Sequence, residues 1–148
     1  EIDPAIIARG KGEINYIPKS PGLKYKHYSP EAEVIIFEGE LPAVAGEIIS
    51  RAKNYLGKGI KVGIMATEQT KNYYYSDEII RNNAVIIPMG DRERPETIAA
   101  NLFRVLREFD NRKVEIVLAE AVESTGIGLA IMNRLSKAAG YNIINVRW

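Results

Sequence analysis

One segment of the sequence concentrates side chains that could hold an anion. It covers residues 20–30, reads SPGLKYKHYSP and contains two prolines, each of which favours an extended conformation of the residue before it. Neighbouring side chains of an extended chain point to opposite sides, so the segment would lie flat across a polar, anionic partner. The side chains that could make such contacts are Lys24, Tyr25, Lys26, His27 and Tyr28.

Composition alone favours a plainer interpretation of this segment. A basic, aromatic stretch between prolines is often a semi-rigid linker whose rings rest on a neighbouring surface. His27 is the only histidine of the chain, and one histidine by itself indicates neither a catalytic base nor a metal site. A linker and a ligand contact therefore both stay open at this point.

Polar residues also follow two of the apolar runs that predict strands. Thr67 and Glu120 stand where parallel sheets bind ligands, beyond the carboxyl ends of strands. Residues 120–128 read EAVESTGIG, and a glycine turn that opens a helix can present N–H groups to a phosphate. A dinucleotide-binding fingerprint would need glycine at position 131, where Ile131 stands, and two glutamates oppose an anion. The pattern favours a tight strand-to-helix turn over a nucleotide cradle.

Two further groups of residues could contact a ligand. Asn133 and Arg134 are adjacent in a helical pattern, where an arginine could clamp a carboxylate or phosphate, although a solvated ion pair is commoner. The three tyrosines at 73–75 could stack on bases, but we predict that two pack against the sheet and one reaches water. Ordinary surface pairing is predicted for three charged residues near the end of the second helix: Arg107, Glu108 and Asp110.

Composition limits the chemistry that the chain itself can perform. The absence of cysteine excludes disulfides and thiolate catalysis, and it agrees with a cytoplasmic location. No catalytic triad, carboxylate pair or metal-ligand spacing can be argued, so we assign neither catalytic residues nor metal ligands. A net charge of +1 gives no general attraction to nucleic acid, and the lack of a long apolar run predicts no membrane partner.

The elements that must position these residues are strands and helices in alternation. Continuous apolar runs, typical of strands buried on both faces, lie at 34–37, 62–66, 84–87, 114–119 and 143–146. Three helical patterns lie between them. The first ends near Gly57, the second begins at Pro95, and the third covers 128–139. The inward side chains of the third helix are predicted to be Leu129, Met132, Leu135 and Ala139. This alternation predicts an α/β fold, a Rossmann-like three-layer sandwich with a mainly parallel sheet of four to five strands.

Three ordered blocks of the sequence resemble the two-domain threonylcarbamoyl-AMP synthases, in which a YrdC-like catalytic domain precedes a smaller α/β domain. SPGLKYKHYSP is similar to the PGMKYRHYAP-type linker of that family. Residues 101–110 resemble its NLF..LREFD helix, and residues 120–139 its AE…GLGLAIMNRL.KAA block. The opening IDPAII is similar to the end of the catalytic domain. The resemblance covers nearly the whole chain.

The resemblance implies a division of the chain into three parts. Residues 1–19 would be the tail of a catalytic domain and a connector, 20–31 the interdomain linker, and 32–148 an accessory Rossmann-like domain. The start without methionine agrees with a fragment of a longer protein. The family's lysine-arginine and Ser-x-Asn motifs have no counterpart here, so the fragment would be inactive alone. Lys26 stands where the family has arginine, which puts a bidentate contact in doubt.

The full enzyme that the resemblance implies is a nucleotidyltransferase. It would convert ATP, L-threonine and bicarbonate into threonylcarbamoyl-AMP and pyrophosphate, for the threonylcarbamoyladenosine modification of tRNA. ATP and Mg²⁺ would bind to the catalytic domain and no cofactor to this fragment. The expected partners are that domain and, beyond it, tRNA or tRNA-modification proteins. The linker, with Lys24, Tyr25, Lys26, His27 and Tyr28, would cover the active site. Strand-end or interdomain contacts are expected of Thr67, Glu120, Asn133 and Arg134.

Two other functions stay open from the sequence. The chain could be an independent regulatory module that binds a nucleotide or an amino acid at the strand ends. It could also contact RNA through the tyrosines at 73–75 and the lysines of the linker.

Overall fold

The structure, a computed structural model, describes residues 29–147. It contains five strands and five helices, with one helix between successive strands except for two between the second and third strands. Their bounds are β1 Glu33–Glu38, α1 Leu41–Gly57, β2 Val62–Ala66, α2 Lys71–Tyr75, α3 Glu78–Asn83, β3 Val85–Pro88, α4 Pro95–Asn111, β4 Ile116–Glu120, α5 Ile127–Ala138 and β5 Ile143–Asn145. The predicted parts 1–19 and 20–31 lie outside the described residues, apart from 29–31, and this division stays a prediction.

All five strands form one parallel sheet in the order β3-β2-β4-β1-β5. Helices α1, α2 and α3 pack on one face, and α4 and α5 pack on the other. This confirms the predicted three-layer α/β fold. The chain leaves β2 and β4, which are neighbours, towards opposite faces, so a crevice between their connections opens at the carboxyl edge of the sheet.

The strands form where the continuous apolar runs predict them, because every residue of a central parallel strand contacts a helix layer on one face or the other. In β2 and β4 all residues are buried. Along β4, Val117 and Ala119 belong to the core under α4 and α5, whereas Ile116 and Leu118 belong to the core under α1. This alternation leaves no polar face, which is why the runs are unbroken in sequence.

The three predicted helices are present, with one error in the assigned faces. Helix α4 begins at Pro95 and buries the predicted inner residues Ile98, Leu102, Val105, Leu106 and Phe109. Helix α5 buries Met132 and Leu135 as predicted, but Leu129 is half exposed and Ile131 takes its place in the core. The prediction for Leu129 is therefore wrong, since the buried face of α5 follows the helical spacing of Gly128, Ile131 and Leu135, and Leu129 lies outside that face.

The short helices α2 and α3 are not predicted by the sequence. Their five and six residues are too few to display a helical period of apolar positions. Asp77 caps the start of α3, because its carboxylate accepts a hydrogen bond from the Ile80 N–H at 3.1 Å. A salt bridge of 2.8 Å between Asp77 and Lys53 ties this cap to α1.

Within residues 29–147 no helix is long and apolar enough to cross a membrane.

A glycine in β2 allows α4 to pack closely against the sheet. A Cβ atom on Gly63 would lie 2.6 Å from two ring atoms of the fully buried Phe109. We predict that Gly63→Ala lowers the free energy of unfolding by about 1–3 kcal/mol, because the ring has no free space to move into. Gly46→Ala is the matched control. It adds the same methyl group to an exposed position of α1 with nothing within 4 Å, and should stabilise by up to about 1 kcal/mol. Denaturant unfolding measures both values, and a Gly63→Ala protein as stable as the parent would contradict the close packing.

Candidate functional site at the carboxyl edge of the sheet

A buried carboxylate lies at the middle of the carboxyl edge of the sheet. Glu120 is the last residue of β4, the third of the five strands, and its exposed fraction is 0%. A carboxylate removed from water needs a hydrogen-bond donor for each lone pair and a compensating positive charge. The surrounding loops must supply both.

Four side chains donate hydrogen bonds to Glu120, two to each oxygen. Oε1 accepts from Thr67 Oγ1 at 3.1 Å and from Arg92 Nη2 at 2.9 Å. Oε2 accepts from Thr70 Oγ1 at 2.6 Å and from the Tyr74 hydroxyl at 2.5 Å. We call these five residues the Glu120 network. Its four donors come from two separate connections, those after β2 and β3, so the network fastens both connections to the end of β4.

Arg92 supplies the positive charge of the network and holds two further groups. Its Nε donates to Thr67 Oγ1 at 3.1 Å, and its Nη1 donates to the Ala121 carbonyl oxygen at 2.9 Å. The side chain of Arg92 is 16% exposed, so most of it is removed from water. The planar fork of arginine allows this division of donors, which a lysine could not reproduce.

Tyr74 contributes a neutral hydroxyl. Burial, and then the charge of Glu120 and the hydrogen bond to it, raise the pKa of the Tyr74 hydroxyl far above its ordinary value, with Arg92 opposing them. The phenol therefore keeps its proton at pH values where a free tyrosine would release it, and donates a hydrogen bond to Glu120. Both threonines are also buried, and Thr67 accepts from Arg92 while it donates to Glu120.

This arrangement leaves no carboxylate oxygen of Glu120 free for acid–base chemistry or for ligand binding. Each oxygen of Glu120 already accepts two hydrogen bonds, and the guanidinium of Arg92 is shared among three acceptors. The part of the crevice where doubly wound sheets bind ligands is thus filled by the side chains of the chain itself. In residues 29–147 no group of three or more histidine, cysteine, aspartate or glutamate residues could hold a metal ion.

The loop from β4 to α5 is a tight turn, as the sequence predicts. Gly126 has a φ of +56°, and a Cβ atom on Gly128 would collide with the carbonyl oxygen of Glu123. The Gly128 N–H donates to the Thr125 carbonyl at 2.9 Å, and the Leu129 N–H donates to the Gly126 carbonyl at 3.1 Å. These amides are engaged inside the turn, so they do not form a phosphate cradle.

Of the four site residues that were named from the sequence and lie within residues 29–147, the structure brings two together. Thr67 and Glu120 are hydrogen-bonded to each other, whereas Asn133 and Arg134 lie on the exposed face of α5 and take no part in the Glu120 network. Interdomain contacts by these four residues stay a prediction. The five linker residues Lys24, Tyr25, Lys26, His27 and Tyr28 lie outside the described residues.

Sequence reasoning misses three members of the network, which are Thr70, Tyr74 and Arg92. The prediction that two tyrosines of 73–75 pack inward is wrong: Tyr74 is fully buried, but Tyr73 is 45% and Tyr75 38% exposed. Consecutive residues of a helix are rotated by about 100°, so a short helix turns only its central tyrosine towards the sheet. The signal for Arg92 is its position just after a strand, at the same edge as Thr67.

The charge of Arg92 is expected to be necessary for stability. We predict that Arg92→Met lowers the free energy of unfolding by about 3 kcal/mol, because Glu120 loses its cation while it stays buried. Arg104→Met is the matched control, since Arg104 is an exposed arginine of α4 that bonds only Asn101 among the described contacts, at 3.1 Å. Its effect should stay below about 0.5 kcal/mol. Chemical denaturation measures both values, and an equal loss of unfolding free energy in the two variants would contradict the stabilising pair of Arg92 and Glu120.

The protonated state of Tyr74 predicts a pH dependence of stability. Above pH 10 the folded protein keeps the phenol proton, whereas the unfolded chain releases it. The contribution of Tyr74 to the free energy of unfolding therefore falls by about 1.4 kcal/mol for each pH unit above 10. Tyr74→Phe should cost about 1.5–3 kcal/mol at neutral pH, because it removes a hydrogen bond to a charged acceptor. That deficit should shrink as the pH rises above 10. Unfolding curves of parent and variant at several pH values measure it, and a constant deficit up to pH 11.5 would be inconsistent with a neutral buried phenol.

Comparison with known proteins relates this chain to one family over nearly its whole length. The family model of the threonylcarbamoyl-AMP synthase C-terminal domain, which describes the sequences of that family, matches residues 2–140. The threonylcarbamoyl-AMP synthase of Bacillus subtilis is 39% identical over 143 residues, which are 97% of this chain and 38% of the relative. That of Pyrococcus abyssi is 43% identical over 128 residues, covering 86% and 34% respectively. The chain thus spans a little over a third of the length of these curated relatives.

Solved structures agree with this relationship. The crystal structure of Pyrococcus abyssi Sua5 complexed with L-threonine is 41% identical, with a TM-score of 0.69 over 86% of this chain and 34% of that one. A C-terminal Sua5 domain from Pyrococcus horikoshii is 38% identical, with a TM-score of 0.60 over 80% of this chain and all of that one. The chain belongs to the family of threonylcarbamoyl-AMP synthase C-terminal domains.

Proposed function

We propose that this chain works as the accessory part of a longer enzyme that makes threonylcarbamoyl-AMP. The enzyme would use ATP, L-threonine and bicarbonate, and it would release pyrophosphate. The observation that carries the proposal is the family match over residues 2–140, combined with relatives of which the matched part makes up only 38% and 34%. The catalytic groups, together with ATP and Mg²⁺, would belong to the part that these relatives have in addition. L-Threonine as a substrate is supported by the relative that was crystallised with it.

The Glu120 network supports an accessory role over that of an independent sensor. A sensor of nucleotides or amino acids needs free donors and acceptors at the strand ends, and here Glu120, Arg92 and Thr67 are engaged with one another. Opening this edge for a ligand would expose a buried charge without its partner. The domain would therefore contribute to catalysis indirectly, by holding another part of the enzyme in place.

The linker is the element that the domain would hold. We assign the cover of the active site to Lys24, Tyr25, Lys26, His27 and Tyr28. The product is a mixed anhydride that water hydrolyses, and a cover that excludes water would protect it. The two lysines would favour the negative charge of the phosphate, more strongly once water is excluded. Under this proposal the enzyme would supply threonylcarbamoyl-AMP for tRNA modification. It would do so in the cytoplasm.

An RNA contact is a second candidate, favoured by the exposure of Tyr73 and Tyr75 on α2. Base stacking requires accessible rings, which these two tyrosines have. The nearby Lys71 is paired with Glu68 at 2.6 Å, so this lysine adds little attraction for phosphates. Binding of tRNA that falls steeply with salt and is lost in Tyr73→Ala would support this candidate.

The proposal predicts that the linker protects the product. In the longer enzyme that contains this chain, changing Tyr25 and His27 to alanine should speed the loss of bound threonylcarbamoyl-AMP several-fold. Tyr73→Ala serves as the control, since it removes an exposed ring outside the linker. Product is quantified over time by chromatography of quenched reactions. Normal formation and retention in the double variant would refute the cover.

The same proposal predicts that the isolated chain binds none of the substrates. Calorimetry of the 148-residue chain with ATP, AMP and L-threonine should give no heat of binding. Clear micromolar binding of any of them would favour the regulatory module.

A further inference from the structure

One carboxylate of α4 holds the chain just before the first strand. Asp110 Oδ2 accepts a hydrogen bond from the Glu31 N–H at 3.0 Å, and Oδ1 accepts one from the Ala32 N–H at 3.1 Å. The bonded residues are 79 and 78 positions apart in sequence. The sequence predicts ordinary surface pairing for Asp110, and these two long-range contacts go beyond that prediction. Both oxygens of the side chain hold the backbone at a distant point of the chain.

Asp110 occupies a position that helix electrostatics disfavours. It lies in the last turn of α4, where the helix dipole is negative and where no residue is basic. The neighbouring residue Phe109 is fully buried, so the end of the helix is fixed against the core. An acidic side chain in the last turn of a helix costs free energy unless it finds donors. The two backbone N–H groups are such donors.

The two amides held by Asp110 directly follow Pro30, the last proline of the linker. The next amide, that of Glu33, donates to the Glu115 carbonyl at 3.0 Å and begins the pairing of β1 with β4. Three successive peptide groups are thus fixed, two by the carboxylate and one by the sheet. Fixing them sets the direction in which the chain runs from residue 31 back towards Pro30.

We propose that Asp110 is a positioning residue that aims the linker at the active site which the linker covers. The idea rests on the proposed function, since it concerns how that cover is delivered. A linker that leaves the domain in one fixed direction spends more time over its target than a linker that can swing. Its effective concentration at the active site is therefore higher. Loss of the Asp110 carboxylate would release residues 31 and 32 while the sheet stays intact.

A second carboxylate of the same kind provides a matched control. Glu115 Oε1 accepts a hydrogen bond from the Lys61 N–H at 2.9 Å, at the same amino edge of the sheet and across 54 positions. This bond holds the start of β2 and does not touch residues 29–32. Removing either carboxylate deletes a long-range bond from a side chain to the backbone, but only one of the two bonds reaches the linker.

The first measurement tests the anchor itself by amide hydrogen exchange in the 148-residue chain. Asp110→Ala should raise the exchange rates of the Glu31 and Ala32 amides about tenfold and leave that of Glu33 unchanged. Glu115→Ala should raise only the rate at Lys61. Asp110→Asn, which keeps the shape of the side chain, replaces Asp110→Ala if the latter does not fold. Unchanged exchange at Glu31 and Ala32 would overturn the proposal.

The second measurement tests the positioning role in the longer enzyme. Asp110→Ala should speed the loss of bound threonylcarbamoyl-AMP as the Tyr25 and His27 double variant does, whereas Glu115→Ala should match the parent. Fast exchange with normal retention would show an anchor without a role in positioning, and would overturn the proposal. Normal retention in the linker double variant would instead refute the cover, and with it the purpose assigned to Asp110. The exchange rates would still decide whether the anchor exists.

Discussion

The structure depends on how one charge is kept out of water. Glu120 ends the central strand with no exposed surface, and a bare carboxylate there would destabilise the fold by more than a small domain can tolerate. Its four donors come from connections that are far apart in sequence, so these connections must meet at one point. The threonines after β2, the tyrosine of α2 and the arginine after β3 are thereby fixed in relation to β4. The conformation of this edge follows from satisfying a single side chain.

The strands and long helices were predictable because their signals are local. An unbroken apolar run identifies a strand covered on both faces, and the spacing of Ile98, Leu102, Val105 and Phe109 identifies the buried face of α4. The network was not predictable, because its donors lie 28 to 53 positions from Glu120 and nothing in their spacing relates them. The anchor at Asp110 is similar, although an acid in the last turn of a helix was a visible sign that a donor was required.

The two edges of the sheet have different tasks under the proposed function. The carboxyl edge, where this architecture commonly binds ligands, is closed by its own side chains. The amino edge receives the chain from the linker and fixes it through Asp110. A fold that often carries a binding site would here act as a rigid support, with a self-satisfied polar network in place of the ligand.

The strand order has a consequence for synthesis on the ribosome. Within the described sheet, β1 is the first strand to be made, and it pairs with β4 and β5, which are the last. The middle of the sheet therefore stays open until residues 116–145 have left the ribosome, and Asp110 reaches its two amides only at that late stage. Until then the linker is attached to an unfinished domain, and any domain translated ahead of it would have time to fold undisturbed. The cover of the active site would thus be the last part of the protein to be set in place.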